Sequence, residues 1–114
     1  KVMNILTELT SLLSPILPVE TGIFSAKAPD EYIVITPMAD VFEFHADNIP
    51  QFETQEVRIS LFSKGNYLRR KQQVTKSLLS AEFSIISRRY IGHESDTQYH
   101  HYIIDVAKTM NLED

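Results

Sequence analysis

Apolar residues along the chain change period from helical to alternating, and the changes mark its elements. Ile5, Leu6, Leu9, Leu12 and Leu13 follow the i, i+1, i+4, i+7, i+8 spacing of one helix face, with Asn4 placed to cap it. Pro15 and Pro18 end that helix, because proline lacks the amide donor and disfavours helical geometry in the residue before it. A short extended piece is expected around Ile23–Phe24, after Gly22. Tyr32–Thr36 is a compact β-branched run between Pro29-Asp30 and Pro37 and reads as a buried strand. Thr54–Ser63 is the clearest strand, with Val57, Ile59 and Leu61 on one face and Glu56, Arg58 and Ser60 on the other. Gly65-Asn66 marks a turn and a cap, opening a helix from Tyr67 to about Ser80. Its stripe is Tyr67, Val74, Leu78 and Ala81, flanked by Leu68, Thr75 and Leu79, with Arg69, Arg70, Gln73 and Lys76 left for solvent. Glu82–Tyr90 returns to strand, with Phe83 and Ile85 on one face and Ile86 on the other. Gly92–Thr97 is a polar turn, and Gln98–Ala107 is a last strand with Tyr102, Ile104 and Val106 on one face.

The pattern predicts an α+β fold: an antiparallel sheet of four to five strands with two helices packed on one face, in the order α-β-β-β-α-β-β. The 114 residues fit a single domain, 1–114, with an expected radius of gyration of roughly 13 Å. Between the second and third strands, Met38–Glu53 carries Phe42, Phe44, Ile49 and Phe52 among acids, with Pro50 inside it. A hairpin arm projecting at about 38–53 fits this pattern, and a loop folded back over the core fits it equally.

Composition removes whole classes of chemistry. The chain has no Cys, which excludes a disulfide scaffold, a thiolate zinc site, an iron–sulfur cluster and a cysteine nucleophile. No apolar stretch is long enough for a bilayer, and no segment reads as a secretion signal, so a small soluble intracellular domain is expected. The net charge of −4 conceals an asymmetry. Asp30, Glu31, Asp40, Glu43, Asp47, Glu53 and Glu56 follow one another without a single Lys or Arg. Arg58, Lys64, Arg69, Arg70, Lys71, Lys76, Arg88 and Arg89 then stand against one acid, Glu82. Either the blocks face each other or water within one molecule, or they form acidic and basic faces that dock head to tail with further copies.

The candidate sites sort accordingly. His100 and His101 are adjacent on a strand and so point to opposite faces, unable to share one metal ion. Ser95, His93 and Asp105 can be written as a triad, but no G-x-S-x-G elbow or oxyanion motif supports them. Gly22, Gly65 and Gly92 stand alone, so no phosphate-binding glycine loop can be built. No enzyme activity, metal or cofactor is expected. Arg69-Arg70-Lys71 opens a helix, where cations oppose the macrodipole; an acidic partner or a phosphate backbone would compensate, the former being favoured. The residues expected at a subunit interface are Phe42, Glu43, Phe44, Asp47, Phe52 and Glu53 on the acidic side. On the basic side, Arg58, Arg69, Arg70, Lys71, Arg88 and Arg89 are expected to face a partner subunit or DNA.

Taken in order, these landmarks resemble the small neck proteins of long-tailed bacteriophages and prophages, the tail-completion, tail-terminator and head–tail joining proteins. The resemblance rests on the opening helix and its proline segment, Ile5–Pro18, and on the strand Pro29-Asp30-Glu31-Tyr32-Ile33-Val34-Ile35. The long strand Gln55–Ser63, the Lys64-Gly65-Asn66 turn into a helix, and the closing Tyr102-Ile103-Ile104-Asp105-Val106 complete it. Phe62 stands where the family often has a tryptophan. The resemblance implies a structural subunit without catalytic residues, assembling with itself into a ring, often a hexamer, that completes the tail tube or joins tail to head. It implies other neck or tail-tube proteins as partners, DNA only in non-specific passage through the lumen, and no membrane. It also implies assembly in the host bacterial cytoplasm and residence in the virion tail. A bacterial adaptor or regulatory protein-binding domain is the alternative reading.

Overall fold

Asn4 accepts the amide of Leu6 through its side chain at 2.7 Å and starts helix α1, Ile5–Leu13. One face of α1 buries Ile5, Leu9 and Leu13, and Leu17 joins them beyond the proline turn. The computed structural model describes residues 4–22, 27–44 and 50–111, with the side chains of 43, 44, 50 and 51 outside that description. The remaining elements are β1 (Val19–Thr21), β2 (Glu31–Phe44), β3 (Pro50–Ser63), α2 (Tyr67–Ser80), β4 (Ser84–His93) and β5 (His100–Asn111).

The chain is α+β, with two helices and one five-stranded sheet in the spatial order β1-β2-β3-β5-β4. The sheet is mixed and not purely antiparallel as expected, because β1 runs parallel to β2. The proline segment after α1 explains the difference. The Pro18 carbonyl accepts the Ile33 amide and the Gly22 amide bonds the Ile35 carbonyl, laying Val19–Thr21 along the start of β2. Gly22, at φ +84°, then ends this pairing after three residues. The short strand thus lies ahead of the expected Ile23–Phe24, which falls outside the described residues.

Both helices cover one face of the sheet. Ile33 and Ile35 of β2, Val57, Ile59 and Leu61 of β3, and Tyr102, Ile104 and Val106 of β5 meet α1 and the Val74 and Leu78 face of α2 in one buried cluster. The other face has no helix against it among the described residues; it carries Tyr32, Val34, Arg58, Ser60, Phe62, His101, Ile103 and Asp105.

The strands run longer than their apolar patterns indicate. β2 and β3 pair from Glu31–Ser63 out to Phe44–Pro50, and β5 follows β3 as far as the Phe52–Asn111 pair. A 14-residue strand spans about 46 Å, and the molecule measures 54 × 24 × 24 Å. Its radius of gyration is 15.5 Å, above the value expected for a compact chain, because the hairpin continues past the helix-covered core.

Candidate functional site

Among the described residues the two charge blocks meet within the subunit at one place. Asp30, Glu31, Lys64, Gly65, Asn66, Arg69 and Arg70 line an open cleft of about 320 Å³ at the start of α2. Ser63 is fully buried; its hydroxyl donates to Glu31 Oε2 at 2.7 Å and accepts the Gly65 amide at 3.0 Å. Arg70 donates from Nε to Glu31 Oε1 at 3.0 Å and from a terminal nitrogen to Gln73 at 3.0 Å. Burial opposes ionisation of Glu31, but these Arg70 and Ser63 bonds outweigh it and hold the carboxyl below the usual carboxylate range. Lys64 and Asp30 form a looser, exposed pair at 3.8 Å. Arg70 and Gln73 are therefore half-buried structural groups and not the solvent-facing residues expected of them.

Arg58 is likewise engaged inside the fold. It lies against Asp105 on the adjacent strand, with bonds of 2.9 and 3.1 Å to the two carboxylate oxygens, and Ser87 adds a third at 3.3 Å. Arg58 holds the Asp105 carboxyl low, against the opposing effect of burial. Lys71 lies 5.2 Å from the centre of the Tyr102 ring. Arg69, Arg88 and Arg89 are exposed and form no ion pair among the described residues. Register places Arg88 opposite Ile104 on the helix-covered face and Arg89 opposite Ile103 on the open face. The six basic candidates thus divide between α2, which carries Arg69, Arg70 and Lys71, and the two faces of the sheet.

The acidic candidates lie at the far end of the hairpin. Phe42, 52% exposed, sits on β2 opposite Glu53 of β3. Phe52 and Glu53 are half-buried, and Glu53 accepts the Gln55 side-chain amide at 2.6 Å. Asp40, Glu53 and Glu56 make no ion pair among the described residues. Glu43 and Phe44 close β2 as backbone, and Asp47 lies outside the described residues. Met38 and Val41 add exposed apolar surface to the same edge. Across the sheet, β4 exposes Ile86, Tyr90 and Ile91 among its arginines. The two outer edges therefore carry apolar groups with opposite charge: acids beside Phe42, bases beside Tyr90.

The open face holds a feature that period counting missed. Tyr32, Phe62 and His101 stack across three strands, with ring centres 4.8 and 4.3 Å apart, and Tyr99 stands edge-on to Tyr32. Tyr99 donates its hydroxyl to the Pro29 carbonyl at 2.6 Å. The available signal was positional: Tyr32 and Phe62 fall on the polar parity of their strands. His100 lies on the other face, its Nδ1 2.9 Å from the Tyr90 hydroxyl and its ring 4.6 Å from that of His93. His93 and Asp105 accordingly belong to opposite faces. Among the described residues no group of three or more His, Asp or Glu could hold a metal ion, and no helix is long and apolar enough to cross a membrane. The chain matches no protein-family model and no curated protein.

Proposed function

We propose that the chain is a structural subunit that assembles with itself into a ring, at the neck of a long-tailed phage or prophage particle, completing the tail tube or joining it to the head. The observation that carries this reading is the division of the surface into an acidic, apolar edge on β2 and a basic, apolar edge on β4. Such a subunit suits heterologous contacts, which close into rings when the rotation between copies allows. The resemblance of the element order to that of neck proteins supports this setting. Arg88 and Arg89 serve the interface better than Arg58 and Arg70, which are committed to Asp105 and Glu31.

Light scattering after size exclusion, over a concentration series at low and high salt, tests the assembly. A closed oligomer that dissociates as salt rises is the expected result. Arg88→Glu with Arg89→Glu yields a folded monomer under the same conditions. A ring indifferent to salt and to this reversal removes the charge-divided interface. A monomer that captures a different polypeptide favours the adaptor reading.

A further inference from the structure

The geometry points to a specific junction between copies: the outer edge of β2 in one subunit adds, antiparallel, to the outer edge of β4 in the next, joining their sheets. This inference rests on the self-assembly reading and gives it an atomic form.

Among the described residues both outer edges are open. β1 covers β2 only from Ile33 to Ile35, and beyond it no strand lies beside β2 among the described residues. β4 ends the sheet on the other side. Strand direction fits head-to-tail addition, because β2 and β4 run opposite ways in the pairing scheme. Copies related by an axis along the strands keep their orientation, so β2 of one meets β4 of the next as an antiparallel neighbour.

Backbone phase fits as well. The Ile33 amide and Ile35 carbonyl point toward β1. Alternation, with the one-residue shift between Pro37 and Ala39, turns the backbone groups of Asp40 and Phe42 outward. Carried across β3 and β5, the same alternation turns Arg88 and Tyr90 outward on β4. Each edge has a regular stretch between two bulges, Ala39–Glu43 and Ser87–Tyr90. In-phase pairing within both stretches sets Asp40 opposite Tyr90, Val41 opposite Arg89 and Phe42 opposite Arg88.

The side chains suit this register. All four outward-bonding residues, Asp40, Phe42, Arg88 and Tyr90, share the helix-covered side of the sheet. Asp40 with Arg88, and Phe42 with Tyr90, become diagonal neighbours, within reach for an ion pair and an aromatic contact. The register also offsets each copy from the last by about six residues, roughly 20 Å, across four strands, a strand tilt near 45°. Closed β-barrels have tilts of this order, so the offset favours a ring.

The absence of native cysteine makes the test clean. In the Val41→Cys/Arg89→Cys double variant the two thiols belong to a pair whose Cα atoms lie about 4.5 Å apart across the proposed junction, and about 14 Å or more apart within one subunit. Mild oxidation is expected to give a ladder of covalent multimers on a non-reducing gel, and Val41→Cys/Lys76→Cys no ladder. Arg88→Pro removes an outward amide and no bond to β5, so it is expected to retain its circular dichroism and remain monomeric. If the unmodified protein forms its oligomer while the double variant gives no ladder and Arg88→Pro still assembles, the junction is wrong and self-assembly stands. If the unmodified protein is monomeric at every concentration and salt, both fail.

Discussion

His101 shows how one side chain can couple packing to protonation. Its ring stacks on Phe62, and its Nε2 is buried with no hydrogen-bond partner among the described residues. Burial pushes its pKa below the ordinary value of 6.5, with Glu94 opposing and Arg58 assisting. The unfolded chain therefore takes up the proton first as pH falls. The stability held by neutral His101 is full above 6.5 and declines as pH drops through that value toward the lower folded one. Glu31 and Asp105 act in a lower window. Their depressed folded pKa values mean that their contribution is complete above the ordinary values of 4.5 and 3.8 and is lost below them. Chemical denaturation at pH 7, 5 and 3 should thus reveal two losses. His101→Phe should abolish the one between pH 7 and 5 and leave the lower one. The sequence indicated that the paired histidines face opposite ways; it held no sign of which would bury a ring nitrogen, because that depends on Phe62 and Tyr99 arriving from other segments.

At the scale of the element, α2 ends in a way its sequence does not advertise. The Glu82 amide bonds the Leu79 carbonyl and the Phe83 amide bonds the Leu78 carbonyl, the two bonds of a Schellman ending. The residue that must turn left-handed is Glu82, at φ +64°, where glycine is usual. Two contacts hold it: Phe83 and Leu78 are both buried in the core, and Lys108 of β5 donates to the Ala81 carbonyl at 3.3 Å. The left-handed conformation costs a non-glycine residue about 1–2 kcal/mol, partly offset by the lower entropy of its unfolded chain. Glu82→Gly should therefore stabilise the protein by about 0.5–1 kcal/mol, read as a shift in denaturation midpoint at unchanged slope. The helix itself was legible from Asn66, Val74 and Leu78. The strands were legible where one face is buried and lost where it is not. Beyond Thr36 and before Thr54 no helix lies against either face of the hairpin among the described residues, so alternation fades while the backbone ladder continues. Lys108–Asn111 escaped for a different reason. Lys108 takes a place on the helix-covered face and donates there to Glu8 and the Ala81 carbonyl. A charged residue thus interrupts the apolar alternation, although the strand continues and Met110 still packs on the core.

For the molecule as a whole, the charge asymmetry was readable residue by residue, yet its meaning divided on folding. The beginning of the acidic block neutralises Arg70 and Lys64 within the subunit, whereas Asp40, Glu53 and Glu56 are carried outward on the extended hairpin. No count of charges separates these groups, because the separation depends on how far β2 and β3 stay paired. The length of the molecule was missed for that reason also. The order of the sheet has one more consequence, a kinetic one. β2–β3 and β4–β5 are local hairpins, but β3 and β5 join residues from 37 positions apart (Ser63 and His100) to 59 (Phe52 and Asn111). Hairpins close in about 1–10 μs, while distant pairings must first overcome the entropy of the intervening chain. The joining of two preformed hairpins, with α2 folded between them, should then govern the folding rate. In stopped-flow refolding, Ile104→Val should slow folding, whereas Leu9→Ala in α1 should chiefly speed unfolding.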